Sequence, residues 1–105
     1  MGFFNKLFGK SNNNNILFNL IKEGAFLVDV RSSSEFAQGN VKGSVNIPLD
    51  QVTNFLTKFK GKENIIVFCR SGNRSSIAKS ILEQNGFTNV TNGGTWQNVK
   101  SILIK

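Results

Sequence analysis

The sequence predicts an α/β fold in which helices cover a mostly parallel sheet. Apolar runs of strand length alternate with segments whose apolar residues recur at helical spacing, as in βαβ units. Two of the runs, residues 25–30 and 64–68, are almost continuously apolar, which is typical of strands covered on both faces. The length of 105 residues fits one domain with a single core.

The first 15 residues predict an N-terminal appendage or linker, which places the domain at residues 16–105. Phe3, Phe4, Leu7 and Phe8 recur at helical spacing and form a short apolar stripe. We expect this stripe to pack on the domain's own core, with a partner or membrane-surface contact as the less favoured alternative. The tract Asn12–Asn15 indicates a linker or a helix start.

The first elements of the domain each have a local signal. Residues 16–21 have helical spacing and stop before Gly24, a suitable C-cap. Residues 25–30 predict a buried strand. Ser32 followed by Glu35 predicts a capping box that starts a short helix.

The middle of the chain predicts a brief strand and a longer helix. Residues 44–47 form the strand, and Pro48, the only proline, ends it. Asp50 is expected to cap a helix. The inward face of that helix is predicted to carry Val52, Phe55, Leu56 and Phe59.

The last third of the chain repeats this alternation. Residues 64–68 predict a buried strand, and Ser75 and Ser76 are expected to start a helix that ends at Gly86. Residues 87–90 predict a last strand, followed by a glycine loop. The predicted inward residues of the two helices are Ile77, Ala78, Ile81 and Leu82 in the first, and Trp96, Val99 and Leu103 in the second.

Composition excludes several kinds of site. The chain has one cysteine and no histidine, which excludes an internal disulfide, a Cys/His metal cluster and a cysteine–histidine protease dyad. No apolar stretch approaches a membrane span, and we expect a reducing, cytoplasmic setting. The net charge of +7 predicts attraction of small anions; nucleic acid is not expected, because only Lys58, Lys60 and Lys62 cluster.

The single cysteine stands where a strand ends and a turn begins. The segment Cys69-Arg-Ser-Gly-Asn-Arg74 can close its backbone N–H groups around the sulfur, and Gly72 permits the concave turn. Such an environment lowers a thiol pKa. The alternative is an inert, buried cysteine, but two arginines around one turn repel each other unless an anion binds there. Both a nucleophile and an anion site are therefore predicted.

Several ordered motifs resemble the single-domain rhodaneses. They cover residues 16–104, nearly everything after the predicted appendage. The motifs are Asp29-Val-Arg31, Glu35-Phe36, the segment from Gly39 to Pro48, the loop from Cys69 to Ser75, and Gly93-Gly94-Thr-Trp96.

This resemblance implies a fold, an activity and a set of site residues. The fold is a five-stranded parallel sheet flanked by helices. The activity is sulfur transfer through a persulfide on Cys69, without metal or organic cofactor, from a small anionic donor such as thiosulfate to cyanide or a thiol. The donor-binding residues implied by the family pattern are Arg70, Ser71, Gly72, Asn73 and Arg74.

The loop length distinguishes this activity from that of related phosphatases. Four residues separate Cys69 from Arg74, as in rhodaneses, whereas the phosphatases of the same fold place five there. Sulfur transfer is therefore favoured over phosphate-ester or arsenate chemistry. The alternative function is a non-catalytic or protein-to-protein sulfur-relay module with a partner thiol.

Four polar residues of the motifs are interpreted as structural. Asn40 stands where the family usually has histidine, and asparagine does not titrate near neutrality. Asp29, Arg31 and Glu35 are expected to form a partly buried ion-pair network rather than to bind substrate. Trp96 is assigned to the core, with the pocket rim as the alternative.

Overall fold

The computed structural model describes residues 13–104. Residues 1–12, which carry the predicted apolar stripe, lie outside the described part, so the division after residue 15 stays a prediction. The first helix, α1, covers residues 13–22. The remaining elements are β1 (Phe26–Asp29), α2 (Ser33–Gln38), β2 (Val45–Asn46), a 3₁₀ helix (Leu49–Phe59), β3 (Ile65–Cys69), α3 (Asn73–Gln84), β4 (Val90–Thr95) and α4 (Trp96–Leu103).

The predicted α/β class is confirmed. The strands pair in parallel in the order β2-β1-β3-β4. The expected number of five strands is wrong for the described residues, which form four. The sequence offers four apolar runs of strand length, and the segment before the first of them, predicted to be helical, forms α1.

Two hydrophobic clusters pack on opposite faces of the sheet, and β3 contributes to both. Its side chains alternate between the faces because successive residues of a strand point in opposite directions. Ile65, Val67 and Cys69 face α3 and the 3₁₀ helix. Ile66 and Phe68 face α1 and α4. The alternation therefore sends the Cys69 side chain toward α3.

Two predictions for the first half of the chain have different outcomes. The Ser32–Glu35 capping box is confirmed, since the Ser32 hydroxyl accepts from Glu35 N–H and the Glu35 carboxylate accepts from Ser32 N–H. Asp50 as a helix cap is wrong. The 3₁₀ helix begins at Leu49, which makes Pro48 the capping position and Asp50 the second helical residue, and no side chain caps the helix.

Three side chains predicted to face inward are exposed, among them Leu103 at the end of α4, which is 37% exposed. Phe55 is 39% exposed, because the 3₁₀ helix is kinked at this residue. Ile77 is 51% exposed, because the buried face of α3 consists of Ser75, Ala78 and Leu82 and the side with Ile77 borders an open cavity.

The predicted glycine loop belongs to β4 instead. Residues 90–95 pair with β3 across an irregularity opposite Val67 and Phe68. A Cβ atom at Gly93 would lie 2.9 Å from Ile66 Cγ2 and 3.0 Å from Val99 Cγ2. Glycine is therefore used here for close packing between sheet and helix rather than for a turn. No helix of the described residues is long and apolar enough to cross a bilayer.

Candidate active site

Cys69 is the last residue of the central strand β3 and is fully buried. The chain leaves the strand, turns through residues 70–72 and enters α3 at Asn73. Gly72 makes this turn with a φ of +96°, a left-handed conformation that side chains other than glycine rarely adopt. The turn wraps the backbone around the sulfur of Cys69.

Backbone N–H groups surround the Cys69 sulfur. Gly72 N lies 3.0 Å and Ser75 N 3.4 Å from Sγ, and both donate to it. The Ser75 hydroxyl lies 3.5 Å away. Burial raises the pKa of the Cys69 thiol, but its hydrogen bond with the Ser75 hydroxyl and those from the N–H groups of Ser75, Gly72 and Ser71 outweigh this effect, so the pKa lies below its usual value. The geometry therefore favours a thiolate.

The Ser75 hydroxyl is held by a residue of β4. It lies 2.7 Å from Asn92 Oδ1 and 3.1 Å from the Gly72 carbonyl, both of which accept from it. Asn92 Oδ1 also accepts from Gly94 N–H, and Asn92 Nδ2 donates to the Gly72 carbonyl. Asn92 thus connects strand β4 to both sides of the cysteine turn. The sequence analysis missed it, because the last predicted strand ended at residue 90 and Asn92 fell outside it.

Ser75 has a different role from the predicted one. It lies inside α3 rather than at its start, and its buried hydroxyl is part of the sulfur environment. The helix begins without a side-chain cap after Gly72, because the first N–H groups of the turn point at the sulfur instead.

Arg74, predicted to hold an anion, forms a two-point ion pair with Glu35 of α2. The Nη1–Oε1 and Nη2–Oε2 distances are 2.7 and 3.0 Å. The Arg74 hydrogen bonds and the Ser32 N–H lower the pKa of Glu35 to about 2, and Glu35 raises the pKa of Arg74. Glu35 therefore pairs with the cysteine loop, and its predicted place in one network with Asp29 and Arg31 is wrong.

Asp29 and Arg31 form a separate, buried ion pair. Arg31 Nη2 lies 2.7 Å from Asp29 Oδ2 and also donates to the Gly39 carbonyl. The Arg31 guanidinium lies 4.6 Å from the centre of the Trp96 ring. Trp96 packs against the core cluster and also borders a cavity, so both assignments made for it hold.

Asn40 is exposed and donates to the Phe36 carbonyl at the end of α2. This contact stabilises the helix end, in keeping with the structural interpretation of that position. Nothing in its hydrogen bonding connects it to the sulfur.

The remaining residues of the predicted site lie at the mouth of the turn. Arg70, Ser71 and Asn73 are exposed. Arg70 borders a cavity of about 390 Å³ and makes no ion pair with any residue of the described range 13–104. The six predicted site residues thus lie in one turn and the start of α3, with the Cys69 sulfur buried inside the turn and the Arg70 guanidinium exposed at its rim.

Comparisons with known proteins find similar sequences and a similar fold. The pattern that describes the rhodanese-like domain matches residues 13–95. The chain is 32% identical over 80 residues to "Thiosulfate sulfurtransferase PspE" of Escherichia coli, covering 74% of this chain and 77% of that protein. It is 34% identical over 84 residues to "Putative thiosulfate sulfurtransferase, mitochondrial" of Schizosaccharomyces pombe, covering 67% of this chain and 59% of that protein. The solved structure "rhodanese with anions from E. coli" superposes with a TM-score of 0.65 at 32% identity, over 71% of this chain and 91% of that one.

Proposed function

The chain belongs to the rhodanese-like domain family, and we propose that it moves a sulfane sulfur from an anionic donor such as thiosulfate to cyanide or a thiol through a persulfide on Cys69. The observation that carries this proposal is the set of N–H donors around Sγ, at 3.0 and 3.4 Å. A thiolate is the nucleophilic form of cysteine, and this set favours it without a general base. Two relatives of this chain carry the name thiosulfate sulfurtransferase, one of them as a putative one.

In the first step the Cys69 thiolate attacks the outer sulfur of thiosulfate. A bond forms between Sγ and that sulfur, and the sulfur–sulfur bond of the donor breaks. Its electron pair leaves with sulfite, so the enzyme holds a persulfide and no external oxidant or reductant is required. The N–H groups that face Sγ can also stabilise a persulfide anion.

In the second step cyanide or a thiolate attacks the outer sulfur of the persulfide. The bond to Sγ breaks, and its electron pair returns to Cys69 as the thiolate. Neither step requires a metal or an organic cofactor. A single cysteine that must stay reduced between turnovers suits a reducing compartment, and we therefore propose a cytoplasmic location.

The exposed part of the loop is proposed to bind the donor anion. Arg70 supplies a guanidinium at the rim that has no ion-pair partner among residues 13–104, and Ser71 and Asn73 supply exposed polar groups beside it. Arg74 acts differently because Glu35 already neutralises it. Its proposed role is to hold the loop against α2. The N–H groups of Arg74 that do not bind Glu35 are proposed to donate hydrogen bonds to the donor anion.

Steady-state kinetics test this proposal. With thiosulfate and cyanide as substrates, we expect thiocyanate production with the parallel-line pattern of a ping-pong mechanism. Cys69→Ala should abolish it, and Ser76→Ala, an exposed change on the same helix, should retain it. Equal thiocyanate production by Cys69→Ala would contradict the proposal.

A protein-to-protein sulfur relay is the second candidate, and one surface favours it. Beside Arg74 an open cavity of about 530 Å³ is walled by apolar side chains that include Leu49, Ile81 and the half-exposed Ile77. A partner protein presenting a thiol would cover such apolar surface. If Ile77→Asp slows sulfur delivery to a protein thiol but leaves delivery to cyanide unchanged, the relay is supported; equal rates for both acceptors contradict it.

A further inference from the structure

A cavity with three lysines in its wall lies at the amino ends of the strands. It borders Phe26, the first residue of β1, and has a volume of about 330 Å³. The lysines are Lys58, Lys60 and Lys62, and all three are exposed. Cys69 ends β3 at the opposite edge of the sheet, about 13 Å along that strand from its first residue. The lysine cluster is therefore separate from the candidate active site.

Buried neighbours hold the turn that carries the lysines. Phe59 is fully buried and packs edge-on against Phe26, with the ring centres 5.7 Å apart. Gly61 turns the chain with a φ of +77°, and the Lys62 carbonyl accepts from Asn89 Nδ2. The fold therefore fixes the backbone from which the three lysines extend.

The positive charge of this cluster is not neutralised by the domain. None of the three lysines forms an ion pair within residues 13–104, and no carboxylate of those residues lines the cavity. Lys62 Nζ instead lies 4.7 Å from the centre of the Phe26 ring, and Lys58 Nζ lies 6.0 Å from the centre of the Phe55 ring. Like charges around one cavity repel each other, and a bound anionic group removes that repulsion. The cluster is thus suited to a negatively charged ligand.

The cavity continues into a second one whose walls are mostly apolar. The second cavity has a volume of about 260 Å³ and shares Val45 and Lys58 with the first. Phe55 borders it as well, and the Val45 and Phe55 side chains are 38% and 39% exposed. A ligand that fills both cavities therefore needs acidic groups at one end and an apolar group at the other.

The second cavity lies along β2, which is an edge strand of the sheet. Ile47 N–H donates to the Asp29 carbonyl, so the alternation of a parallel ladder turns the backbone N–H and carbonyl of Asn46 away from β1. An open edge of this kind accepts an extended polypeptide through backbone hydrogen bonds. A flat lipid surface does not reach into two cavities. The edge therefore favours a polypeptide as the ligand.

We propose that the two adjoining cavities form a docking groove for an extended acidic segment of a partner protein. Acidic side chains of the segment lie at Lys58, Lys60 and Lys62, and one apolar side chain lies between Val45 and Phe55. This surface goes beyond sulfur transfer, since docking requires no chemistry at the cysteine turn. A partner held here leaves that turn open.

The test is a fluorescence anisotropy titration of the full chain with short labelled peptides. The first peptide has a block of glutamates followed by a block of leucines, the second has glutamines in place of the glutamates, and the third has glutamates only. We expect the glutamate–leucine peptide to bind most tightly and added salt to weaken its binding. Equal affinities for the glutamate–leucine and glutamine–leucine peptides would overturn the proposal.

Variants locate the binding. Lys60→Glu should weaken binding of the glutamate–leucine peptide about three- to tenfold. The matched control is Lys100→Glu, the same charge change at an exposed residue of α4, which covers the other face of the sheet. Phe55→Ser should weaken the glutamate–leucine peptide and leave the glutamate-only peptide unchanged. Equal weakening by Lys60→Glu and Lys100→Glu would place the binding elsewhere and refute the groove.

Competition distinguishes a polypeptide from other polyanions. Polyuridylate RNA and vesicles containing phosphatidylserine are added to the complex with the glutamate–leucine peptide. Retention of the peptide supports the proposal, whereas displacement by either competitor at lower concentration than by unlabelled peptide overturns it. Thiocyanate production by Lys60→Glu should equal that of the unmodified protein. Its absence from both would refute the proposed function alone, because the peptide titrations do not depend on turnover.

Discussion

Ser75→Ala tests how the protein sets the reactivity of Cys69. The change removes a hydroxyl 3.5 Å from Sγ and keeps the Ser75 N–H. Among the hydrogen bonds that lower the pKa of Cys69, the one to the Ser75 hydroxyl contributes most. Hydrogen bonds to charged groups contribute about 1.5–3 kcal/mol. Because this hydroxyl is distant and shared with two other acceptors, we expect the lower end, about 1.5 kcal/mol in favour of the thiolate, so the pKa of Cys69 rises in the variant.

This shift has opposite effects on the two sides of the titration. Below the native pKa, the thiolate fraction falls about tenfold, but the more basic thiolate is about threefold more nucleophilic, so alkylation slows about threefold. Above the variant's pKa both proteins are fully ionised, and the variant reacts about threefold faster. The two pH profiles should therefore cross.

The assay is the rate of iodoacetamide alkylation as a function of pH, with thiolate absorbance as a second measurement of the midpoint. Ser76→Ala, an exposed neighbour, should overlay the unmodified protein. The fold should survive, since Asn92 Oδ1 keeps its bond from Gly94 N–H. An unchanged midpoint, or a rate lowered equally at every pH, would refute the role given to the hydroxyl.

Three further changes test the framework of the site. Asn92→Ala leaves the Ser75 hydroxyl with one fewer acceptor, and we expect a loss of about 1–3 kcal/mol in the free energy of unfolding, measured in urea. Gly93→Ala forces a Cβ to within 2.9 Å of a β3 side chain, so overpacking should cost about 1–3 kcal/mol and lower the Tm. In the native protein the lowered pKa of Glu35, about 2, stabilises the fold above its usual value of 4.5, and this contribution is lost as pH falls toward 2. Glu35→Gln should therefore have a lower free energy of unfolding than the unmodified protein at pH 5, and this difference should shrink as pH falls to 2. A difference that is independent of pH would contradict the ion pair with Arg74.

Local signals accounted for the parts of the fold that the sequence predicted correctly. The capping box at Ser32 involves residues three apart, and the buried strand β3 follows from one run of consecutive apolar residues. Cys69 could be placed at the carboxyl edge of the sheet because the apolar run ends at that point. These inferences require no knowledge of which distant segments meet.

The contacts that were missed join segments far apart in the chain. Arg74 and Glu35 are 39 residues apart, and Ser75 and Asn92 are 17 apart. Their pairing depends on α2 and β4 both meeting the cysteine turn, which follows from strand order and not from local pattern. The outward position of Ile77 was missed because the apolar spacing of α3 does not reveal that one side of the helix borders an open cavity.

The intact mass of the protein after incubation with thiosulfate tests the central claim most directly. We predict a gain of one sulfur atom in the unmodified protein, removed again by cyanide, and no gain in Cys69→Ser. A mass that stays unchanged, or an equal gain in Cys69→Ser, would show that Cys69 does not carry the transferred sulfur.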